Sequence, residues 1–149
     1  MATLRLAFIC TGNICRSPMA AALASDLLKQ RERPAVIISA GTLNLVGKPA
    51  DRHVIAALEE IGISLDGHRS QGVNNPLVRM ADHLIVMAPR HATELIKAHP
   101  ALKPKIVRLW QHHPTAIEQI DDPIGQDLDA FRECRDVITR CLNGWIDTL

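Results

Sequence analysis

Short apolar runs alternate along the chain with stretches in which apolar residues recur at helical spacing. The runs fall at residues 4–10, 35–40, 83–88 and 105–110, and each has the length of a strand. Leu4-Arg-Leu-Ala-Phe-Ile-Cys10, Val36-Ile-Ile38 and Leu84-Ile-Val86 are almost unbroken by polar residues, which suits a parallel sheet covered on both faces. After the first run, Ser17-Pro18 reads as an N-cap followed by proline at the first helical position, with Met19, Leu23 and Leu27 on one stripe. A second helix opens near Asp51, places Val54, Ile55, Leu58 and Ile61 at helical spacing, and stops at Gly62. A short helical piece covers Pro76 to Met80, another runs from Pro89 to before Pro100, and the last from about Asp127 to the C-terminus.

This alternation, with no linker, repeat or low-complexity stretch, predicts one α/β domain over residues 1–149. Short connections and right-handed crossovers predict three layers: a doubly wound, four-stranded parallel sheet of flavodoxin-like arrangement between helices. The pattern leaves the strand order open. In such sheets ligands bind at the carboxyl ends of the strands. Cys10 ends the first strand and Ser39 the second, so both are expected at one crevice.

Composition narrows the function. A chain of 149 residues, 47% of them hydrophobic, has ample material for a core, and a globule of that size buries roughly 70% of its unfolded surface. A net charge of +1 argues against nonspecific nucleic-acid binding, so any anion affinity must come from a local site. The N-terminal apolar run is too short for a signal sequence, and no segment approaches a membrane span. Four cysteines without an extracellular framework point to a reduced, cytoplasmic protein. Cys134 and Cys141 share a helix with Phe131, Ile138, Leu142 and Trp145, and read as core. The histidines His53, His83, His91 and His99 are scattered, and His112-His113 sits in a loop with Pro114. No metal site is expected, and only His68 invites a supporting role.

The chemistry concentrates in Cys10-Thr-Gly-Asn-Ile-Cys-Arg-Ser-Pro18, where a strand gives way to a helix. Such a loop aims the backbone N–H groups of Thr11, Gly12, Asn13, Ile14 and Cys15, with the hydroxyl of Ser17, at an entering anion, reinforced by the helix dipole. Gly12 permits the tight turn, and Arg16 adds a planar fork of donors that fits two phosphate oxygens. The same field favours a thiolate at Cys10, the nucleophilic form of the side chain. Ser17 can donate to the sulfur while Asn13 braces the loop. A phosphate monoester also needs a proton for its leaving oxygen. Gln119-Ile-Asp-Asp-Pro123 offers a carboxylic acid there, Asp122 ahead of its neighbour Asp121, because the following proline fixes how the loop presents it.

Together these two segments resemble the low-molecular-weight protein tyrosine phosphatases, bacterial type. Ser39-Ala-Gly-Thr42, Val46-Gly-Lys-Pro-Ala-Asp51, Gly67-His-Arg-Ser70 and Ala81-Asp-His-Leu-Ile-Val-Met87 extend the likeness over nearly the whole chain. The resemblance implies a strand order of 2-1-3-4 and hydrolysis of protein phosphotyrosine without a cofactor. It implies Cys10 as the nucleophile that becomes a phosphocysteine, Arg16 as the clamp, and Asp122 as the acid that later activates water. Asn13, Ser17, Ser39 and His68 match a hydrogen-bond network that holds the loop, and Cys15 matches a reversible disulfide partner of the nucleophile. The implied partner is a tyrosine-phosphorylated protein, such as a bacterial tyrosine autokinase of polysaccharide production, with no nucleic acid or membrane involved.

Two departures from the eukaryotic pattern bear on substrate. The chain contains no tyrosine, so Ile124-Gly125 follows Asp-Pro, and Leu43 and Leu45 take the place of an aromatic at the pocket rim. Three rival activities fit the same scaffold. Arsenate reduction needs relay cysteines in mid-chain, and none lies between Cys15 and Cys134. A protein-arginine phosphatase would carry threonine where Ile14 stands, and an apolar wall favours an aryl ring over a cation. A non-catalytic phosphoprotein-binding module would make Cys10 and Asp122 dispensable.

Overall fold

The computed structural model describes residues 2–149. Its sheet has four parallel strands, β1 (Leu4–Cys10), β2 (Ala35–Gly41), β3 (His83–Val86) and β4 (Ile106–Arg108), in the order β2-β1-β3-β4. Helices α1 (Arg16–Gln30), α2 (Arg52–Glu59), α3 (Pro76–Arg79), α4 (Pro89–Ala98) and α5 (Leu128–Ile146) flank it. α1 packs on β1, β2 and α5, α2 on α5, and α4 on β3 and β4. Every residue of β1 from Leu6 to Cys10 is buried, whichever way its side chain points, so the central strand is covered on both faces. The doubly wound expectation and its strand order both hold. Among the described residues no helix is long and apolar enough to cross a membrane.

Local chemistry sets most of the boundaries. Asp51 caps α2 by accepting the His53 N–H at 2.8 Å. Beyond the helix Gly62 takes φ +77°, which brings the Ile63 N–H back to the Leu58 carbonyl. Asp127 caps α5 through the Ala130 N–H, and Phe131, Cys134, Ile138, Cys141, Leu142 and Trp145 are buried along it. All four cysteines are free and buried.

Several details differ from the reading of the sequence. α1 begins at Arg16 rather than after a Ser17 cap, with Ser17 already inside the helix and its hydroxyl bonded to Cys10 and Asn13; Cys15 precedes the helix and makes no side-chain cap. β2 runs on to Gly41, paired with Cys10, so Ser39 stands two residues before its end. β4 has only three residues, since 3₁₀ turns at Pro100–Lys105 and Leu109–His112 take up both flanks. β3 correspondingly stops at Val86, opposite Arg108, where its last partner ends.

Candidate active site

The loop between β1 and α1 is shaped from behind. Thr42 and Leu43 donate their N–H groups to the carbonyls of Cys10 and Thr11, each at 3.0 Å, and Asp51 N–H reaches the Ile14 carbonyl at 2.9 Å. Gly41 makes this approach possible, because a Cβ there would lie 2.6 Å from the Thr11 carbonyl oxygen. With these carbonyls engaged, the N–H groups of residues 11–15, which lead into α1, have no acceptor among the described residues. Consecutive free N–H groups at a helix start form an anion cradle.

Asn13 is the keystone of that shape. It is fully buried at φ +57°, a region asparagine tolerates better than most residues. Its amide nitrogen donates to Ser17 Oγ at 2.8 Å and Ser39 Oγ at 2.9 Å, and its Oδ1 accepts the Gln71 N–H at 3.0 Å. His68 Nε2 lies 2.8 Å from the Asn13 carbonyl. A carbonyl can only accept, so that nitrogen carries the hydrogen. The four residues expected to form a network are thus brought together. Gln71 joins them, bonding the Ser39 carbonyl through its side chain at 2.9 Å.

At the floor, Cys10 Sγ lies 3.0 Å from Ser17 Oγ. The Ser17 oxygen accepts from Asn13, and a Cys10 thiolate can only accept, so toward that form of the sulfur Ser17 donates its hydrogen. Arg16, only 2% exposed, spans from the cradle to the distant loop at 120–122: Nη1 donates to the Ile120 carbonyl at 2.9 Å and Nη2 to Asp122 Oδ2 at 3.4 Å. Asp122 Oδ1 accepts the Ile124 N–H at 3.1 Å, while Asp121 turns to Gln119 instead. Asp122 therefore faces the site and its neighbour does not.

Burial, with Asp51 and Asp122 nearby, pushes the Cys15 thiol far above its usual range. Burial likewise pushes Cys134 up to about 12. At the mouth, Leu45 lies over Gly12, and Leu43 and Ile124 are exposed on loops whose backbones bond Thr11 and Asp122.

Sequence reasoning missed two neighbours besides Gln71. His91 and Arg90, at the start of α4, both reach Thr11 Oγ1, at 3.0 and 2.8 Å. The only signal in the sequence was Pro89 opening a helix after the third strand, which places those residues at the strand ends where the crevice lies.

A thiol bonded to Ser17, a loop of unpaired N–H groups and a carboxyl group bonded to Arg16, on a sheet of this order, form a site suited to a phosphate ester. The model of the low molecular weight phosphotyrosine protein phosphatases matches residues 5–149, and the chain belongs to that family. A probable low molecular weight protein-tyrosine-phosphatase of Ralstonia nicotianae, EpsP, is 37% identical over 140 residues, spanning 93% of this chain and 90% of the relative. A protein-arginine-phosphatase of Geobacillus stearothermophilus is 35% identical over 133 residues, 89% of this chain and 86% of that one. A solved structure of the arginine phosphatase YwlE, a cysteine-to-serine mutant with its active-site serine phosphorylated, matches with a TM-score of 0.91 at 27% identity. It covers 98% of this chain and 95% of its own.

Proposed function

We propose that this enzyme hydrolyses phosphotyrosine in proteins through a phosphocysteine formed on Cys10. The observation that carries the reading is the set of unpaired N–H groups at residues 11–15, directly after a cysteine whose sulfur lies 3.0 Å from the Ser17 hydroxyl. Those donors and the Arg16 fork hold the non-bridging phosphate oxygens as charge redistributes over them. The Cys10 thiolate attacks phosphorus, forming a P–S bond as the P–O bond to the phenol breaks, and Asp122 gives its proton to the departing oxygen. Asp122, now a carboxylate, takes a proton from water, whose oxygen attacks phosphorus and expels the thiolate. Inorganic phosphate leaves, and the enzyme is restored.

Asn13, Ser17, Ser39 and His68 hold the loop in this scheme, and Leu43, Leu45 and Ile124 form an aliphatic rim for the aryl ring. Cys15 guards the nucleophile. A peroxide converts Cys10 to a sulfenic acid, and the Cys15 thiol then displaces water to close a reducible disulfide. The protein is read as cytoplasmic, acting on a tyrosine-phosphorylated protein such as a tyrosine kinase of polysaccharide production.

A second reading, phosphoarginine hydrolysis, is favoured by the Geobacillus stearothermophilus relative and by the absence of any tyrosine to stack on a phenol. Ile14, apolar and packed partly against the core, favours the aryl ester. Matched phosphotyrosine and phosphoarginine peptides, assayed with wild type and Cys10→Ser, decide between them. We expect faster turnover of the tyrosyl peptide and none by Cys10→Ser. A faster arginyl reaction would exchange the two readings, and undiminished turnover by Cys10→Ser would remove the covalent mechanism.

A further inference from the structure

Three groups converge on one oxygen at the edge of the cradle. Thr11 Oγ1 lies 2.8 Å from Arg90 Nη2, 3.0 Å from His91 Nε2 and 3.5 Å from Arg16 Nη2. His91 is wholly buried, and its Nδ1 accepts the Ala88 N–H at 3.1 Å. In a neutral imidazole the nitrogen that accepts carries no hydrogen, so Nε2 holds it and donates to Thr11. His91 and Arg90 thereby fill the two lone pairs of the hydroxyl oxygen, and the Arg16 contact is the long one. His91 positions the threonine, and the threonine positions Arg90.

Arg90 is otherwise unspent. It is exposed, it joins none of the ion pairs among the described residues, and its one hydrogen bond is to Thr11. Arg31, Arg132 and Arg135 each hold a carboxylate. A guanidinium is thus fixed beside the phosphate-clamping arginine, at the mouth of the site, with most of its donors turned to solvent. An exposed arginine with no such anchor keeps its rotamer freedom; this one is oriented before any substrate arrives.

We infer that Arg90 is a specificity-determining residue that receives the carboxylate of an acidic residue flanking the phosphorylated residue of the substrate. This rests on the phosphotyrosine reading above. The planar fork matches a carboxylate through two parallel hydrogen bonds, and the site selects acidic sequence context by charge as well as the phosphate itself.

The test uses three phosphotyrosyl peptides that differ only in having glutamate, alanine or lysine beside the phosphotyrosine. For the wild type, kcat/KM should favour the glutamate peptide over alanine by about 2- to 5-fold, the range of an exposed ion pair, with the difference in KM and lost at high salt. Arg90→Gln should bring that ratio to about one, and Arg90→Glu should invert it in favour of the lysine peptide. Disturbed packing cannot produce that inversion. An unaltered ratio in both variants overturns the inference. So does an equal loss on all three peptides, which would assign Arg90 to the phosphate. If the wild type turns over none of them, the phosphotyrosine reading falls and this inference with it.

Discussion

Replacing Asn13 by aspartate separates the shape of the cradle from its chemistry. The Asn13 amide nitrogen donates to Ser17 and Ser39, and its Oδ1 accepts from the Gln71 N–H. Aspartate preserves the size, the tolerance for φ +57° and the Gln71 bond, but it has no hydrogens to give. Both serine hydroxyls must then turn their hydrogens to the carboxylate. Ser17 has only one, so the Cys10 sulfur loses its donor. A hydrogen bond to a charged partner contributes roughly 1.5–3 kcal/mol, which corresponds to a fall in kcat of about 10- to 150-fold.

Asn13→Ala acts the other way. It removes three hydrogen bonds of roughly 1 kcal/mol each and places alanine in a left-handed conformation at about 1–2 kcal/mol more, for a total of about 4–5 kcal/mol of stability. The Ser17 hydrogen, however, stays with the sulfur. Urea unfolding and aryl phosphate turnover, measured on both variants, give the check. Alanine should be the less stable and aspartate the less active per folded molecule. An aspartate variant within threefold of the wild-type kcat would refute the argument, as would two variants whose losses rank alike in both assays.

Two further outcomes follow from the packing around the cradle. Burial, with Arg16 and Arg90 close by, lowers His91 to about 3, so the unfolded chain takes up a proton that the native protein refuses. Stability present above pH 6.5 is therefore lost as pH falls toward 3, by at most about 1.4 kcal/mol per pH unit from this residue. His91→Gln should flatten the decline of urea midpoints between pH 6.5 and 4, and an unchanged slope would rule out a buried neutral ring. Gly41→Ala places a methyl group 2.6 Å from the Thr11 carbonyl oxygen, and the required shift should cost about 1–3 kcal/mol and at least tenfold in kcat. Activity within twofold of wild type would show that the loop has room to give.

The strand-to-helix loop of the site was legible because its signals are local. Cys10, Arg16 and Ser17 sit in one strand-to-helix loop, and the fold carries that loop without rearranging it. Asp122 was legible for a similar reason, since Pro123 marks a loop where a carboxyl group is presented. What escaped were contacts that only the tertiary structure makes. Gln71 and His91 are ordinary polar residues in the sequence; they acquire roles because β2 and β3 both flank β1, Gln71 returning from beyond α2 to bond the Gly41 N–H at the end of β2 and His91 following β3 directly. The Ser17 cap failed because the helix starts one residue earlier, at Arg16, and the Ser17 hydroxyl bonds Cys10 and Asn13 instead of a helix N–H. The strand lengths failed for lack of a partner, as β4 offers β3 only three residues.

The network on Asn13 bears on portability. Ser39 comes from β2, and His68 and Gln71 from the segment between α2 and α3; each grips Asn13, as Ser17 does from the loop itself. The curvature of the loop is therefore information stored outside the loop. A protein engineer who grafts Cys10–Ser17 onto another strand-and-helix joint transfers the letters of the motif without its geometry, unless those outlying contacts travel too.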